Sequence, residues 1–209
     1  MDPFSTVIGV ALIIFSIILH EIAHGYMADF LGDPTARYAG RLTLNPIPHI
    51  DPIGSVLLPG FLAITGTPFL IGWAKPVPFN PNNLRNRAWG EALVGFAGPA
   101  TNILIAVLAG LLLRFGFVPA AFYPVLVMLS ISNLSLAILN LIPIPPIDGS
   151  KILKALLPYP LSRSYENLEQ LTYSLGPVGL IIVLLIFINV FSAPAGNAVE
   201  YLFRLIVGA

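Results

Sequence analysis

The sequence predicts an all-α polytopic membrane protein with about four transmembrane helices, a re-entrant loop or hairpin, and a short membrane-associated strand region. The chain has 209 residues, of which 56% are hydrophobic and 10% are charged, whereas soluble domains carry about 25% charged residues. Five stretches without Asp, Glu, Lys or Arg are long enough to be tested as membrane spans of roughly 20 residues. They are Pro3 to His20, Pro52 to Ala74, Ala92 to Leu113, Phe115 to Ile147, and Gln170 to Val199.

The balance of charges and the absence of cysteine exclude several classes of function. Ten basic and ten acidic residues give a formal net charge of zero, so nucleic-acid partners are not expected. Cysteine is absent, which excludes thiol catalysis and cysteine-bound zinc. A metal ion would have to be bound by His, Asp or Glu.

The first apolar stretch is expected to stay in the mature protein as a helix, because it lacks the positively charged start and the cleavage site of a signal peptide. Residues 92–113 and 121–142 predict an antiparallel pair of helices joined by a tight turn around Phe117 and Pro119. The last stretch predicts a fourth span. Residues 194–207 predict a short amphipathic piece at the outer interface.

Residues 52–74 are interrupted by proline and glycine too often for one continuous helix. Irregular backbone is tolerated in a membrane only where protein or a wet cavity shields it, so a re-entrant loop or hairpin is predicted. If only the other four stretches cross, eight of the ten basic residues lie on one side, which the positive-inside rule assigns to the cytoplasm. They are Arg37, Arg41, Lys75, Arg85, Arg87, Lys151, Lys154 and Arg163. The N-terminus would then lie outside, and a multi-pass protein of the cytoplasmic membrane is expected.

The remaining residues predict loops and one strand. Residues 38–44 alternate in polarity, which is typical of a strand near the membrane surface, and residues 75–90 form a Pro- and Asn-rich linker. The sequence shows no internal repeat. We expect a single domain over 1–209, with a core at 4–149 and C-terminal helices at 165–207.

A possible metal site begins where the first apolar stretch ends. His20 and His24 lie four residues apart, so both imidazoles can reach one zinc ion from the same helix face. Glu21 is placed to take a proton from a metal-bound water, whose pKa zinc lowers to about 7. The alternative is that these polar residues only end a helix at the interface. Ionisable groups at this depth are costly and usually functional, which favours a metal site.

Asp148 is the candidate third ligand. It follows a proline-rich segment, Pro143 to Pro146, that is expected to form a stiff, extended strand and to carry the carboxylate towards the membrane interior. The alternative is a plain Asp-Gly turn. If residues 52–74 are re-entrant, the cytoplasmic ends of the first and fourth stretches coincide and the carboxylate lies at the depth of the two histidines.

Two intramembrane asparagines complete the candidate site. Asn102 and Asn140 could each donate to a developing oxyanion or hold an extended substrate, or they could only join helices. His49 is expected to be a loop residue, and Lys75 a determinant of topology. Glu166 and Glu169 are expected to form a solvated helix start.

These motifs resemble the site-2 protease family of intramembrane zinc metalloproteases, in particular small prokaryotic members. The family's HExxH stands at His20 to His24, its Gly-x-x-x-Asn at Gly98 to Asn102, and its Asn-x-x-Pro-x-x-Pro-x-Asp-Gly at Asn140 to Gly149. The resemblance implies one zinc ion per chain, held by the three candidate ligands His20, His24 and Asp148.

The resemblance also assigns roles to the other candidate residues and to partners. It implies that Glu21 is the general base, that Asn102 and Asn140 handle the oxyanion and the substrate, and that the substrates are single-pass membrane proteins cut in or near their transmembrane helices. Larger relatives carry an extra span before the HExxH helix, and some carry PDZ or nucleotide-sensing domains; neither is expected for this protein. How substrates are selected is therefore open.

Two other functions use the same residues. A membrane ion or metal carrier could use the buried His, Glu and Asp cluster as a pathway, although no pair of similarly broken segments in two related halves supports it. An inactive relative could bind transmembrane helices without cutting them, although such a protein would have no need of Glu21.

Overall fold

The computed structural model describes residues 3–57, 60, 61, 64 and 74–209, and within these residues the chain is helical with no β-strand. The α-helices are α1 (Pro3–Phe30), α2 (Thr35–Tyr38), α3 (Arg87–Arg114), α4 (Tyr123–Leu141), α5 (Gly149–Leu156), α6 (Tyr159–Ser174), α7 (Pro177–Ile186) and α8 (Ser192–Val207). Short 3₁₀ turns lie at Ile47–His49, Pro81–Asn83 and Ala120–Phe122, and π-helical turns at Pro52–Leu57 and Phe187–Phe191.

Four helical segments of the described chain are long and apolar enough to cross a membrane: Phe4–Phe30, Arg87–Arg114, Ala120–Leu141 and Ile182–Val207. The first three correspond to predicted spans, whereas the fourth overlaps the predicted stretch Gln170 to Val199 but is shifted towards the C-terminus. The all-α polytopic fold class is confirmed. α3 and α4 form the predicted antiparallel pair. The turn between them begins after Arg114, where Gly116 takes a positive φ of 63° that suits glycine.

α3 lies at the centre of the bundle and packs against α1, α4, α5 and α8. Ala106 on α3, Leu134 on α4 and Val199 on α8 form a buried apolar cluster. The interfacial position predicted for residues 194–207 is therefore wrong. The apolar face of α8 packs into the bundle because that face covers the apolar side chains that α3 and α4 present to it.

Residues 38–44 do not form the predicted strand. Tyr38 ends α2, and the Arg41 N–H donates to the carbonyl of Ala36. The buried Arg41 guanidinium then donates to the carbonyl of Lys75 at 2.7 Å. Hydrogen bonds to neighbouring loops replace strand pairing here, and the short alternation of polarity is not specific enough to distinguish the two.

The proline-rich segment before α5 is a series of turns and not the extended strand that was expected. The Ile147 N–H donates to the carbonyl of Ile144, and the Ser150 N–H donates to the carbonyl of Ile147. The Pro145–Pro146 peptide bond is cis. The chain therefore folds back on itself before α5 begins.

The two ends of the 50–74 segment lie side by side, because the Lys75 N–H donates to the carbonyl of His49 at 2.9 Å. A single crossing of the bilayer would separate these ends by about 30 Å, so this contact agrees with re-entry and contradicts a full span. Whether the stretch is a helix or a hairpin falls on residues 58, 59, 62, 63 and 65–73, which lie outside the described residues.

The linker before α3 is attached to the end of α1 by Asp33. Its buried carboxylate accepts hydrogen bonds from Thr35, from the Asn83 side chain and from the Asn80 N–H. Burial would raise the pKa of Asp33, but these hydrogen bonds lower it below its ordinary value. α3 then starts at its N-cap, where the Asn86 side chain accepts from the Trp89 N–H.

Candidate active site

Two buried histidines face each other near the C-terminal end of α1. His20 and His24 lie one helical turn apart, and their Nε2 atoms are 3.0 Å from each other. The Nδ1 of His24 donates to the carbonyl of Val94 at 2.6 Å, and the Nδ1 of His20 lies 2.5 Å from the Asn102 Oδ1. Both rings are thereby held through Nδ1 by α3, which leaves both Nε2 atoms pointing into the same space.

Asp148 closes a triangle with these two nitrogens. Its Oδ2 lies 3.2 Å from the His20 Nε2 and 3.1 Å from the His24 Nε2. In a tetrahedral site with bonds of about 2.0–2.1 Å, zinc ligands lie roughly 3.3 Å from one another. The three atoms of this chain thus have the spacing and the chemistry of a two-histidine, one-carboxylate metal site with a fourth position open.

Lys151 holds the other oxygen of Asp148. Its Nζ lies 2.8 Å from the Asp148 Oδ1, and only 17% of its side chain is exposed. Burial would lower the pKa of Lys151, but the adjacent carboxylate raises it; conversely, the two histidines and Lys151 lower the pKa of Asp148 against the effect of burial. In the sequence analysis, Lys151 is only one of the eight basic residues that indicate the cytoplasmic side of the membrane. Its position three residues after Asp148, on the same helix face, is the signal that could have revealed the contact.

Glu21 lies beside the triangle on α1. One oxygen from its carboxylate and one nitrogen from each histidine lie within 4.8 Å of one another. The Oε2 of Glu21 accepts a hydrogen bond from the Val77 N–H at 2.9 Å. The linker that follows residues 52–74 therefore fixes one oxygen of this carboxylate.

Two glycines let α3 approach the site closely. A Cβ on Gly98 would lie 2.6 Å from atoms of both imidazole rings, and a Cβ on Gly95 would lie 2.9 Å from the backbone oxygen of Asp148. Any side chain at these positions would occupy the space of the candidate ligands. The Gly-x-x-x-Asn motif is thus the surface of α3 against which the histidines pack.

The candidate asparagines differ in position. Asn102 is fully buried next to His20, whereas the half-buried Asn140 donates to the carbonyl of Leu136 on its own helix, and no contact recorded for the described residues joins Asn140 to the triangle. Sequence reasoning missed Asn133, which is fully buried on α4 and bonded to Asn102. An amide in an otherwise apolar span, seven residues before Asn140, was the available signal.

The other residues singled out from the sequence lie away from the triangle. His49 is a buried loop residue, and its Nε2 donates to the carbonyl of Thr43. Glu166 is partly exposed, as expected, but Glu169 is not solvated, because only 14% of its side chain is exposed and it pairs with Lys154 at 3.1 Å. Lys154 also pairs with the buried Glu91 of α3 at 2.5 Å, which attaches α5 to α3.

An apolar groove of about 340 Å³ runs beside the HExxH turn of α1. It is lined by side chains of α1, of residues 42–44 and of α3, namely Leu19, Ile22, Ala23, Tyr26, Leu42, Thr43, Leu44 and Thr101. No hydrogen bond to the backbone of Leu42 or Leu44 is found within the described part of the chain. Residues 42–44 thus line the groove with backbone groups that have no hydrogen bond at Leu42 and Leu44 within the described residues.

Comparison with known proteins gives a consistent set of relatives. A family model described as Peptidase family M50 matches residues 117–186, which include Asp148. The protein named "Putative zinc metalloprotease YwhC" of Bacillus subtilis (strain 168) is 34% identical over 192 residues, covering 86% of this chain and 80% of that protein. "Putative zinc metalloprotease Rip2" of Mycolicibacterium smegmatis is 33% identical over 138 residues, covering 65% of this chain and 52% of that protein.

A more distant relative is "Zinc metalloprotease MJ0392" of Methanocaldococcus jannaschii, which is 28% identical over 158 residues, or 76% of this chain and 35% of that protein. No solved structure matches significantly. A bundle of membrane-length helices with histidines and a carboxylate gathered at one site, together with these relatives, defines a zinc metalloprotease. The chain belongs to Peptidase family M50, and its resemblance to small site-2 proteases is confirmed.

Proposed function

We propose that this protein hydrolyses peptide bonds in or near the transmembrane segments of other membrane proteins, using one zinc ion per chain held by His20, His24 and Asp148. The triangle of two Nε2 atoms and one carboxylate oxygen, with edges of 3.0–3.2 Å, is the observation that carries this proposal. Bound at these atoms, zinc would supply Lewis acidity and an acidified water at neutral pH.

Glu21 is the proposed general base. Its Oε2 is held by the Val77 N–H, so Oε1 is the oxygen that would take a proton from the attacking water and pass it to the leaving amine nitrogen. Val77 belongs to the linker that follows residues 52–74. The linker thus fixes the orientation of the base and couples that orientation to the re-entrant stretch.

The two asparagines have different proposed roles. Both ends of the Asn102 amide are engaged, one with His20 and one with Asn133, which supports a role in orienting the imidazole. Asn140 uses one N–H for the carbonyl of Leu136 and has a second N–H with which to meet the substrate or the oxyanion.

The site is proposed to lie towards the cytoplasmic face of the cell membrane. From Phe4 to His20, α1 rises roughly 24 Å in a hydrocarbon core about 30 Å thick. With the N-terminus outside, water from the cytoplasm then has a short path to the scissile bond. Eight of the ten basic residues are predicted to lie on that side of the membrane, which supports the same orientation.

The groove beside α1 is proposed to take the unwound substrate. A helical substrate must give up internal hydrogen bonds before its backbone can be attacked, and unpaired backbone groups can replace them by strand addition. Leu44→Pro removes one such N–H, whereas the matched variant Leu44→Ala keeps it. Cleavage should be lost only in the proline variant, with zinc content unchanged in both; equal cleavage by the two variants contradicts pairing at this edge.

One experiment separates the protease from its rivals. Wild type and Glu21→Gln are purified, their zinc content is measured, and each is incubated with a transmembrane model substrate. The expected result is equal zinc content and cleavage by the wild type alone. Equal cleavage by both proteins, despite bound zinc in the wild type, refutes the proposal that the protein is a zinc protease with Glu21 as its base. Transport that is sensitive to the same change supports a carrier, and substrate binding without cleavage supports an inactive relative.

A further inference from the structure

A line of buried hydrogen bonds runs from His20 across three helices. Asn102 on α3 faces the His20 Nδ1 with its Oδ1 and donates from Nδ2 to the Asn133 Oδ1 on α4 at 2.8 Å. Asn133 in turn donates from Nδ2 to the Ser16 Oγ at 3.0 Å and to the carbonyl of Leu129 at 2.9 Å. Both asparagines are fully buried, and Ser16 is 2% exposed.

The carbonyl of Leu129 fixes the direction of every bond in this line. A backbone carbonyl can only accept, so the end of Asn133 that faces Leu129 must be the NH₂ group, and its other end must be the oxygen. That oxygen requires the NH₂ group of Asn102, which turns the oxygen of Asn102 towards His20. In neutral His20 the proton then lies on Nδ1, which leaves Nε2, the nitrogen that faces Asp148 and His24, as the one able to bind a metal.

We propose that Asn133 is a positioning residue that acts through Asn102 to hold His20 in the tautomer with an unprotonated Nε2. A histidine can bind a metal only through an unprotonated nitrogen, and the partner of the other nitrogen selects which one that is. This inference rests on the proposed function in one respect, because His20 matters as a ligand only if the site binds zinc.

Ser130 provides a matched comparison for a purely structural role. It is fully buried on α4, one turn from Asn133, and donates to the carbonyl of Ala106 on α3 at 3.0 Å. It therefore joins the same two helices, and among the described residues it makes no side-chain hydrogen bond to Ser16, Asn102 or Asn133. If Asn133 served only to join helices, removing either hydrogen bond would have similar consequences.

The tautomer can be measured directly, because the chain contains three histidines. Ring ¹⁵N spectra of the zinc-free protein, labelled at histidine and recorded at alkaline pH, should show His20 and His24 protonated on Nδ1 and His49 protonated on Nε2. The His20 signal is assigned by its loss in His20→Gln. In Asn133→Leu the His20 signal should shift towards the other tautomer, whereas in Ser130→Ala it should not.

Zinc affinity gives a second readout. Competition with a chelator should show zinc binding weakened about 10- to 100-fold in Asn133→Leu. Ser130→Ala should stay near the wild-type affinity, and so should Ser16→Ala, because the carbonyl of Leu129 still orients Asn133.

Three results would overturn the proposal. They are a wild-type His20 protonated on Nε2, an Asn133→Leu variant with unchanged tautomer and affinity, or equal loss of affinity in the Ser130→Ala control. The first needs no variant, so a folding defect cannot hide it. The tautomer is measured without zinc or substrate, so failure of the proteolytic function would leave this test intact.

Discussion

Gly98 is the position where a single methyl group should do most damage to the site. Its Cβ would lie 2.6 Å from the His20 Cε1, the His20 Nε2 and the His24 Cε1, whereas ordinary contact begins at 3.4 Å. The two rings must therefore move by about 0.8 Å. They cannot simply rotate away, because each Nδ1 is held by α3, one at Asn102 and one at Val94.

The size of this displacement sets the expected loss. A misplacement of about 1 Å at a reacting centre can cost on the order of 100-fold in rate, and overpacking a core costs about 1–3 kcal/mol in stability. Gly98→Ala should lower kcat/KM for a transmembrane model substrate about 100-fold and weaken zinc binding. Cleavage rates in detergent and chelator competition measure the two effects.

Gly110→Ala is the matched control on the same helix. A Cβ there would lie 2.4 Å from the Ile206 Cγ2, which is at least as tight, but it would meet a side chain of α8 and not the histidines. We expect lower stability with unchanged zinc affinity. If Gly98→Ala kept wild-type zinc affinity and cleavage, or if both variants lost zinc equally, the assignment of Gly98 as the packing surface for the histidines would be refuted.

Two further predictions concern the parts of the fold that support the site. Lys154→Met removes the shared partner of Glu91 and Glu169, of which Glu91 keeps its ion pair with Arg87 at 3.1 Å. The free energy of unfolding should fall by about 1–3 kcal/mol. Adding Glu91→Gln should recover part of this loss in a double-mutant cycle, and additive losses would contradict the pairing. Because the pKa of Asp33 is lowered in the fold, its stabilisation should be present above the ordinary pKa of 3.8 and lost as pH falls through the lower folded pKa. Thermal unfolding of the zinc-free protein between about pH 6 and pH 3 should therefore show a weaker acid dependence in Asp33→Asn, and identical profiles would argue against this account.

The sequence predicted the structure best where helix geometry and the cost of burying charge in a membrane allow few arrangements of the side chains. The spacing of His20 and His24 on a helix allows one shared face, and charge in an apolar chain is costly, so the helices and the candidate triangle with Asp148 could be predicted. Asp148 meets both histidines although the segment before it forms turns instead of a strand. The prediction of the contact did not depend on the conformation that was expected to produce it.

Side-chain partners were harder to predict because they depend on how the helices pack. Lys151 and Lys154 carry the charge that the positive-inside rule counts, but both are largely buried and paired with carboxylates. Asn133 was not singled out from the sequence, because its hydrogen bond with Asn102 depends on how α3 packs against α4. The strand at residues 38–44 was wrong because seven alternating residues also fit a loop held by side-chain hydrogen bonds.

α3 provides none of the candidate metal ligands, yet it orients both histidines through Val94 and Asn102 and packs closely against the backbone of Asp148 at Gly95. Metal binding and the packing of α3 are therefore linked equilibria. Zinc at 100 times its Kd should strengthen the bundle by about 2.7 kcal/mol. The converse is that a bilayer thick or thin enough to tilt α3 should weaken zinc binding. Membrane thickness would then act on the metal site through a helix that supplies none of the candidate ligands.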